Sequence, residues 1–496
     1  MCSNMEDIAQ VKLIMQKEID ILIIGAGISG IGLASHLSKE CPKRSFKIVE
    51  QRQNIGGTWD LFKYPGIRSD SDMSTFGFNF KPWTKASVLA DGTSIKSYLS
   101  EVVTEQQLEK HIYFNHRILS LNFNSSKKKW VVEIENAQHQ MEVWVANFVC
   151  GCTGYYNYNQ GFQPIFPQQE VFKGELIHPQ HWPENLDYKN KKITIIGSGA
   201  TAITLVPALV KGGAKNVTLL QRSPTYIASV PSVDKFYKKI QNILPLKMAY
   251  QLTRARNVGM QRLVYVLAQK QPQLLRKYLL SSIKKQLQGK VDIKHFTPTY
   301  NPWEQRLCVV PDGDLFQVLR DGQASIETDL IEKFTTSGIL LKSGKTIEAD
   351  IIVSATGLEI QILGGIKTTI DGVALDTSKT MLYRGVMVSD VPNMAMMIGY
   401  VNASWTLKVD IASEYICRLL NYMDQNNYKG VVAQGDINEM LDDTVMGSLS
   451  SGYISRAMDV LPKQGKSKIW QVTNNYLADR KALKAAKFKD DILKFH

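Results

Sequence analysis

"IDILIIGAGISGIGLASHL", Ile19 to Leu37, is the stretch on which the rest of the chain turns. Ile19 to Ile24 reads as an apolar β-strand, and it runs into Gly25, Gly27 and Gly30 in G-x-G-x-x-G spacing, with Ser29 inside the turn, before a helical pattern begins. The first glycine permits a tight turn, the second lets a pyrophosphate approach the backbone, and the third lets helix and strand pack closely. The helix N-terminus then faces the phosphates. A second strand pattern, "FKIVE", ends in Glu50, twenty residues after Gly30, where a carboxylate accepts hydrogen bonds from ribose hydroxyls. Strand, turn, helix and acid together read as a dinucleotide site, not a plain glycine turn.

The pattern recurs in "KKITIIGSGATAITLVPAL" with Gly197, Gly199 and Ala202 as G-x-G-x-x-A; Ser198, Ala200, Thr201 and Ile203 complete that turn. Two turns imply two dinucleotides. The strand "NVTLLQRSP" ends in Gln221 and Arg222 where its counterpart ended in Glu50, and an arginine there suits a 2′-phosphate, so the second site is expected to take NADPH. FAD is then expected in the first. The glycine-rich "NIGGTWD" (Asn54 to Asp60) offers Trp59 as an aromatic for the isoalloxazine edge.

Two strands close on small-Thr-Gly turns, Cys152-Thr153-Gly154 and Ala355-Thr356-Gly357, on either side of the second unit. The expected fold is therefore α/β, with two Rossmann-like domains and the NADPH domain inserted in the FAD domain. Residues 1–154 and 358–496 form the FAD domain and 155–357 the NADPH domain, which carries a basic helical insertion at 231–297.

Composition supports a large globular core: of 496 residues, 44% are hydrophobic and 21% charged. No apolar run approaches the roughly 18 to 20 residues that cross a bilayer. Six scattered cysteines without C-x-x-C spacing point to a reducing cytoplasm. The net charge of +13 is local: Lys235 to Val291 holds thirteen Lys or Arg and no Asp or Glu, leaving 46 of each sign elsewhere. A neutral body argues against nucleic acid as a partner. In the insertion Leu280, Ile283 and Leu287 are expected on an apolar face with Lys277 and Lys284 on another, a pattern compatible with peripheral contact on an anionic membrane.

Between the two turns stands "VFKGELIHPQHWP", with Phe172, Gly174, His178, Trp182 and Pro183 spaced F-x-G-x-x-x-H-x-x-x-W-P. This run resembles the fingerprint of type I Baeyer–Villiger monooxygenases. His295 to Gly322, Gly399 to Asp424 and "LPKQG" (Leu461 to Gly465) are further similar to the ethionamide-activating branch of bacterial FAD-containing monooxygenases. The resemblance implies an enzyme that uses NADPH and O2 to convert ketones to esters or lactones through a C4a-peroxyflavin, and that also oxidises sulfides and thioamides. It implies Arg306, in "NPWEQRLC", as the active-site cation and Asp70, in "YPGIRSDSDM", as its carboxylate partner. Arginine suits the role because it keeps its charge when partly desolvated. The alternative for Arg306 is a surface ion pair to Glu304 or Asp312. The resemblance also places Arg68, Ser69 and Asp70 on the nicotinamide side and Thr58, Trp59, Asp60 and Leu61 along the flavin. The backbone of Ile118, in the strand "IYFNHRIL", is implied at the adenine.

Rival readings differ in detectable ways. A nitrogen- or sulfur-hydroxylating flavin monooxygenase normally lacks the Trp182-Pro183 ending, and an FAD-bearing scaffold has no need of Arg222 or Arg306. His178 and His181 lack the Cys or carboxylate partners of a metal site, so no metal is expected. "GILLKSGKT" misses phosphate-loop spacing by one residue and reads as a hairpin, and no G-x-S-x-G nucleophile elbow occurs.

Overall fold

A computed structural model describes residues 16–447 and 451–496, whose two largest sheets share the chain unequally. The larger runs in the order Val373–Ala374, Lys367–Ile370, Arg117–Asn124, Lys129–Glu135, Met141–Gly151, Gln16–Ile24, Phe46–Val49, Ile112–Tyr113. Three short strands between Leu382 and Met396 attach alongside Met141–Gly151. The smaller sheet is Ala324–Thr328, Asn216–Gln221, Lys192–Ile196, Ile351–Ser354, Glu175–Ile177, parallel throughout. The five strands of the smaller sheet all fall between residues 175 and 354, and the chain before and after them supplies the larger.

Gln16–Ile24 pairs in parallel with Phe46–Val49 on one side and Met141–Gly151 on the other, so both of its edges are hydrogen-bonded and it lies inside the sheet. Ile21 and Ile23 enter one core with Ile31, Leu33 and Ile416; Leu22 and Ile24 enter a second with Trp130, Trp144 and Met394. That is why the strand is apolar at successive positions and does not alternate. Lys192–Ile196 holds the same central place in its sheet. In both sheets the dinucleotide turn therefore lies at the carboxyl end of the central strand, where parallel sheets bind ligands.

A buried polar knot ties the first helix to the rest. His36, on Ile28–Glu40, contacts Glu40 at 2.8 Å and Asp410, on Trp405–Gln425, at 3.5 Å. Burial works against a charged ring, but the hydrogen bonds to Asp410 and Glu40 outweigh it and raise the pKa from 6.5 to about 9. A group raised on folding stabilises fully below its unfolded pKa and loses that contribution as pH climbs through the folded value. Resistance to urea is therefore expected to decline between pH 6.5 and 9, measured as the unfolding midpoint. His36→Gln is expected to flatten that slope.

Three local expectations are corrected. "IYFNHRIL" is not one strand: Ile112–Tyr113 and Arg117–Asn124 are separated by Asn115 at φ 54°, because the amides of Asn115 and His116 turn aside to the carbonyls of Arg52 and Glu50. The fingerprint run is more than a linker, since Glu175–Ile177 is the edge strand of the smaller sheet. In the helix Pro272–Leu287 the buried stripe is Leu275, Leu279, Ile283 and Leu287, and Leu280 is only half-buried: the packing follows i, i+4 spacing. The hairpin expected around "KSGK" is present, with Gly338–Leu341 antiparallel to Thr346–Glu348.

Candidate active site

The two turns are built alike. Gly25 has φ 100°, and a Cβ there would lie 2.8 Å from the Cys152 carbonyl oxygen; Gly197 has φ 143°, and a Cβ there would lie 2.3 Å from that of Ala355. Each small-Thr-Gly turn thus rests on the first glycine of a dinucleotide turn. Gly30 is equally constrained, its absent Cβ falling 2.0 Å from the Gly25 oxygen, and Ala202 is fully buried against its sheet.

Around the first turn a cavity is lined by Gly25, Gly27, Glu50, Gly57, Ile118, Thr153 and Tyr158. Gly27 and Gly57 form its floor, with a Cβ on Gly57 only 3.1 Å from the Gly27 Cα, so this backbone cradle fits a pyrophosphate. Glu50 Oε2 accepts from the Ala26 amide at 2.8 Å and Oε1 from the Arg52 amide at 2.9 Å, which fixes the carboxylate at the cavity wall. Burial raises its pKa, against the pull of those amides. Ile118 stands at this wall between Arg117 and Leu119.

Sequence reasoning missed part of the wall. His116, Tyr156, Asn159, Gln361, Gly364 and Gly365 also line it. Consecutive positive φ angles at Leu363, Gly364 and Gly365 were legible only as the glycine pair of "ILGG".

The loop after Glu50 is held by charge. Asp60 is buried and pairs with Arg52 at 2.6 Å and Lys96 at 2.5 Å. Burial alone would raise its pKa; hydrogen bonds from Lys96 and Arg52 hold it below the usual range. Asp60 thus braces this loop and does not face the cavity. Trp59 packs edge-on to Phe76 at 5.8 Å, Leu61 joins the core of the smaller sheet, and Thr58 Oγ1 lies 3.4 Å from Tyr158 Oη.

At the second turn no atom lies within 4 Å of a Cβ built on Gly199, the room a second pyrophosphate needs. Ser198 and Ala200 flank it, Thr201 is the second residue of the helix Ala200–Lys211, and Ile203 is buried. Gln221 is spent within the sheet, donating through Nε2 to the His295 carbonyl at 2.7 Å and to Thr328 Oγ1 at 2.9 Å. Arg222, the next residue, is exposed. Because Gly199 faces open space, Gly199→Ala is expected to leave thermal stability and flavin content unchanged while raising the Kd for NADP roughly tenfold by crowding. Titration of the oxidised protein with NADP measures it.

The fingerprint residues fasten both crossings between the sheets. Gly174 is wedged so that a Cβ would meet the Asp350 oxygen at 2.3 Å and the Phe172 ring at 2.5 Å; Phe172 packs edge-on to Phe334. His178 is buried, accepts at Nδ1 from the Gln180 amide at 3.2 Å and so donates from Nε2 to the Gly357 carbonyl at 3.2 Å. Burial lowers its pKa, in keeping with this neutral form. Gln180 donates to the Asn157 carbonyl at 2.8 Å, and Asn157 donates its amide to Glu359. His178 and Gln180 therefore hold the outgoing chain (155–162) and the returning chain (357–361) together. Trp182, followed by Pro183, enters the hydrophobic cluster that joins Leu61, Phe62 and Tyr64 to Ile193 and Ala202. The motif is a buckle between these two chain segments.

Arg306 and Asp70 meet at 4.0 Å, with 34% and 39% of their side chains accessible. Asp312 instead accepts the Ser232 amide. Burial acts against the charge on Arg306, but the Asp70 carboxylate together with Tyr155, Tyr453 and Tyr156 more than offsets it and carries the pKa well above the ordinary value. Tyr155, Tyr156 and Tyr453 surround the guanidinium. Tyr155 stacks on Trp405 at 5.3 Å, and Trp405 donates to Ser29 Oγ at 2.8 Å, which links this cluster to the first glycine turn. Nothing in local sequence marked Trp405 or Tyr453. Arg68 turns away to Asp314 at 2.6 Å, and buried Ser69 closes a turn onto Ser71, so of that trio Asp70 alone joins Arg306.

The flavin-binding monooxygenase-like family matches residues 16–427. The "Probable FAD-binding monooxygenase AlmA" of Acinetobacter baylyi is 70% identical over 97% of both chains. The "FAD-containing monooxygenase EthA" of Mycobacterium tuberculosis is 48% identical over 97% of this chain and 98% of its own. An oxidised steroid monooxygenase bound to NADP superposes with a TM-score of 0.77 at 18% identity, over 97% of this chain and 99% of that one. A cyclohexanone monooxygenase gives 0.75 at 18% identity, over 97% and 100%. At such identity the structural likeness is one of fold, whereas sequence similarity along almost the whole length shows kinship: the chain belongs to the flavin-binding monooxygenase-like family.

Proposed function

We propose that this chain is an FAD-containing, NADPH- and O2-dependent Baeyer–Villiger monooxygenase that converts ketones to esters or lactones and also oxidises sulfides and thioamides. The observation that carries it is the Arg306–Asp70 pair beside the aromatic cluster linked to the first glycine turn. When bound, the reduced flavin supplies the electrons and activates O2. Gly25, Gly27 and Glu50 hold it, and Gly197, Gly199 and Arg222 hold NADPH. Arg306, kept charged by Asp70, stabilises the negative charge that develops on oxygen during transfer to a carbonyl. Asp70 orients the guanidinium, and the His178 buckle sets how the two cofactor sites face each other. The scattered cysteines suit a reducing cytoplasm, and the basic insertion suits peripheral work at an anionic membrane.

The test uses the purified yellow protein. NADPH-dependent oxygen uptake is expected, with ester or lactone recovered by chromatography from a panel of linear, cyclic and aryl ketones. Oxygen uptake that gives sulfoxide from an added thioether but no ester across the ketone panel would instead favour the nitrogen- or sulfur-hydroxylating chemistry.

A further inference from the structure

The basic insertion folds as three helices, Lys235–Ile240, Leu246–Lys270 and Pro272–Leu287. Ten of the twenty exposed large apolar side chains among the described residues lie between Val233 and Tyr278, a tenth of the chain. Cationic charge without acids and apolar exposure therefore coincide. They are densest at the turn between the first two helices: Ile243 is 71% exposed, Leu246 47% and Met248 50%. Lys238, Lys239 and Lys247 flank it, all exposed.

The long helix has two distinct sides. At about 100° per residue, Met248, Leu252 and Leu263 share a stripe opposite Tyr250, Arg254, Asn257 and Gln261. The inner side is braced on the segment that carries Asp70: Asn257 and Gln261 donate to Asp72 at 2.8 and 2.6 Å, and Arg254 donates to the Gly77 carbonyl at 2.6 Å. The outer stripe is left to the surroundings.

Resting on the monooxygenase reading, we infer that the 241–248 turn and this outer stripe insert into an anionic phospholipid surface, so that apolar substrates reach the flavin side from the bilayer. Lipid fits better than nucleic acid because exposed aliphatic side chains gain by entering an acyl layer, and a phosphate backbone offers them nothing. Lysines beside the tip then meet lipid phosphates.

Sedimentation of the holoenzyme with vesicles tests it. The protein is expected to pellet with phosphatidylglycerol–phosphatidylcholine vesicles, to remain in solution with phosphatidylcholine alone, and to be released by salt. Lys238→Gln/Lys239→Gln/Lys247→Gln is expected to lower partitioning roughly a hundredfold, and Ile243→Ser/Leu246→Ser at least about tenfold. Equal pelleting with both lipids, or unchanged partitioning of both variants, would overturn the assignment. So would duplex DNA binding that competes with vesicles and is indifferent to Ile243→Ser/Leu246→Ser. NADPH-dependent oxygen uptake with a water-soluble ketone, measured without lipid, is expected to be unchanged in both variants. Uptake reports on the reaction and pelleting on the surface, so either can fail while the other stands.

Discussion

Arg306→Ala is expected to be bleached by NADPH at nearly the normal rate and yet to form ester at least about a hundredfold more slowly, in line with the loss of one preorganised charge donor at a reacting oxygen. The asymmetry follows from position. Arg306 stands with Asp70 beside the aromatic cluster linked to the first glycine turn, whereas Arg222, which is assigned to the nucleotide, directly follows the strand Asn216–Gln221 of the smaller sheet. Asp70 would lose its cation partner, so the altered site carries net negative charge where negative charge must develop. Reducing equivalents should then leave as hydrogen peroxide. Stopped-flow bleaching, chromatographic ester yield and a peroxide assay on one preparation measure all three. Equal losses in bleaching and ester formation would mean that Arg306 serves nucleotide binding; normal ester yield would return it to a plain surface ion pair.

Arg222→Ala is expected to weaken NADPH roughly tenfold to a hundredfold and to leave NADH almost unchanged, so that the preference between them collapses. Gln221 cannot substitute, because its amide is committed to His295 and Thr328. An exposed cation is screened by salt, so the difference should be largest at low ionic strength and shrink as salt is added. Flavin reduction rates across both nucleotide concentrations measure it. Equal loss for both nucleotides would show that Arg222 supports the turn and does not read a phosphate.

The sequence by itself determined what is local. Glycines 25, 30 and 197 stand where a Cβ would strike another backbone, and Gly27 and Gly199 leave open the room a pyrophosphate needs, so their spacing announces the two turns. Double-sided burial made Ile19–Ile24 legible as a central strand, because apolar residues on both faces leave no alternation. The motif from Phe172 to Pro183 was recognisable as a pattern, but its purpose was not. His178 acts through the carbonyl of Gly357 and Gln180 through that of Asn157, partners 179 and 23 residues away.

Only the tertiary structure decided which charges meet. Arg306 meets Asp70, Arg68 pairs with Asp314, and Asp60 is absorbed by Arg52 and Lys96. It alone brought Trp405 and Tyr453 to the cluster. Turn geometry is set by the sterics of a few consecutive residues and is written where it acts. The pairing of charges and rings depends on which distant segments the two sheets carry to the same edge, and packing settles that across the whole chain.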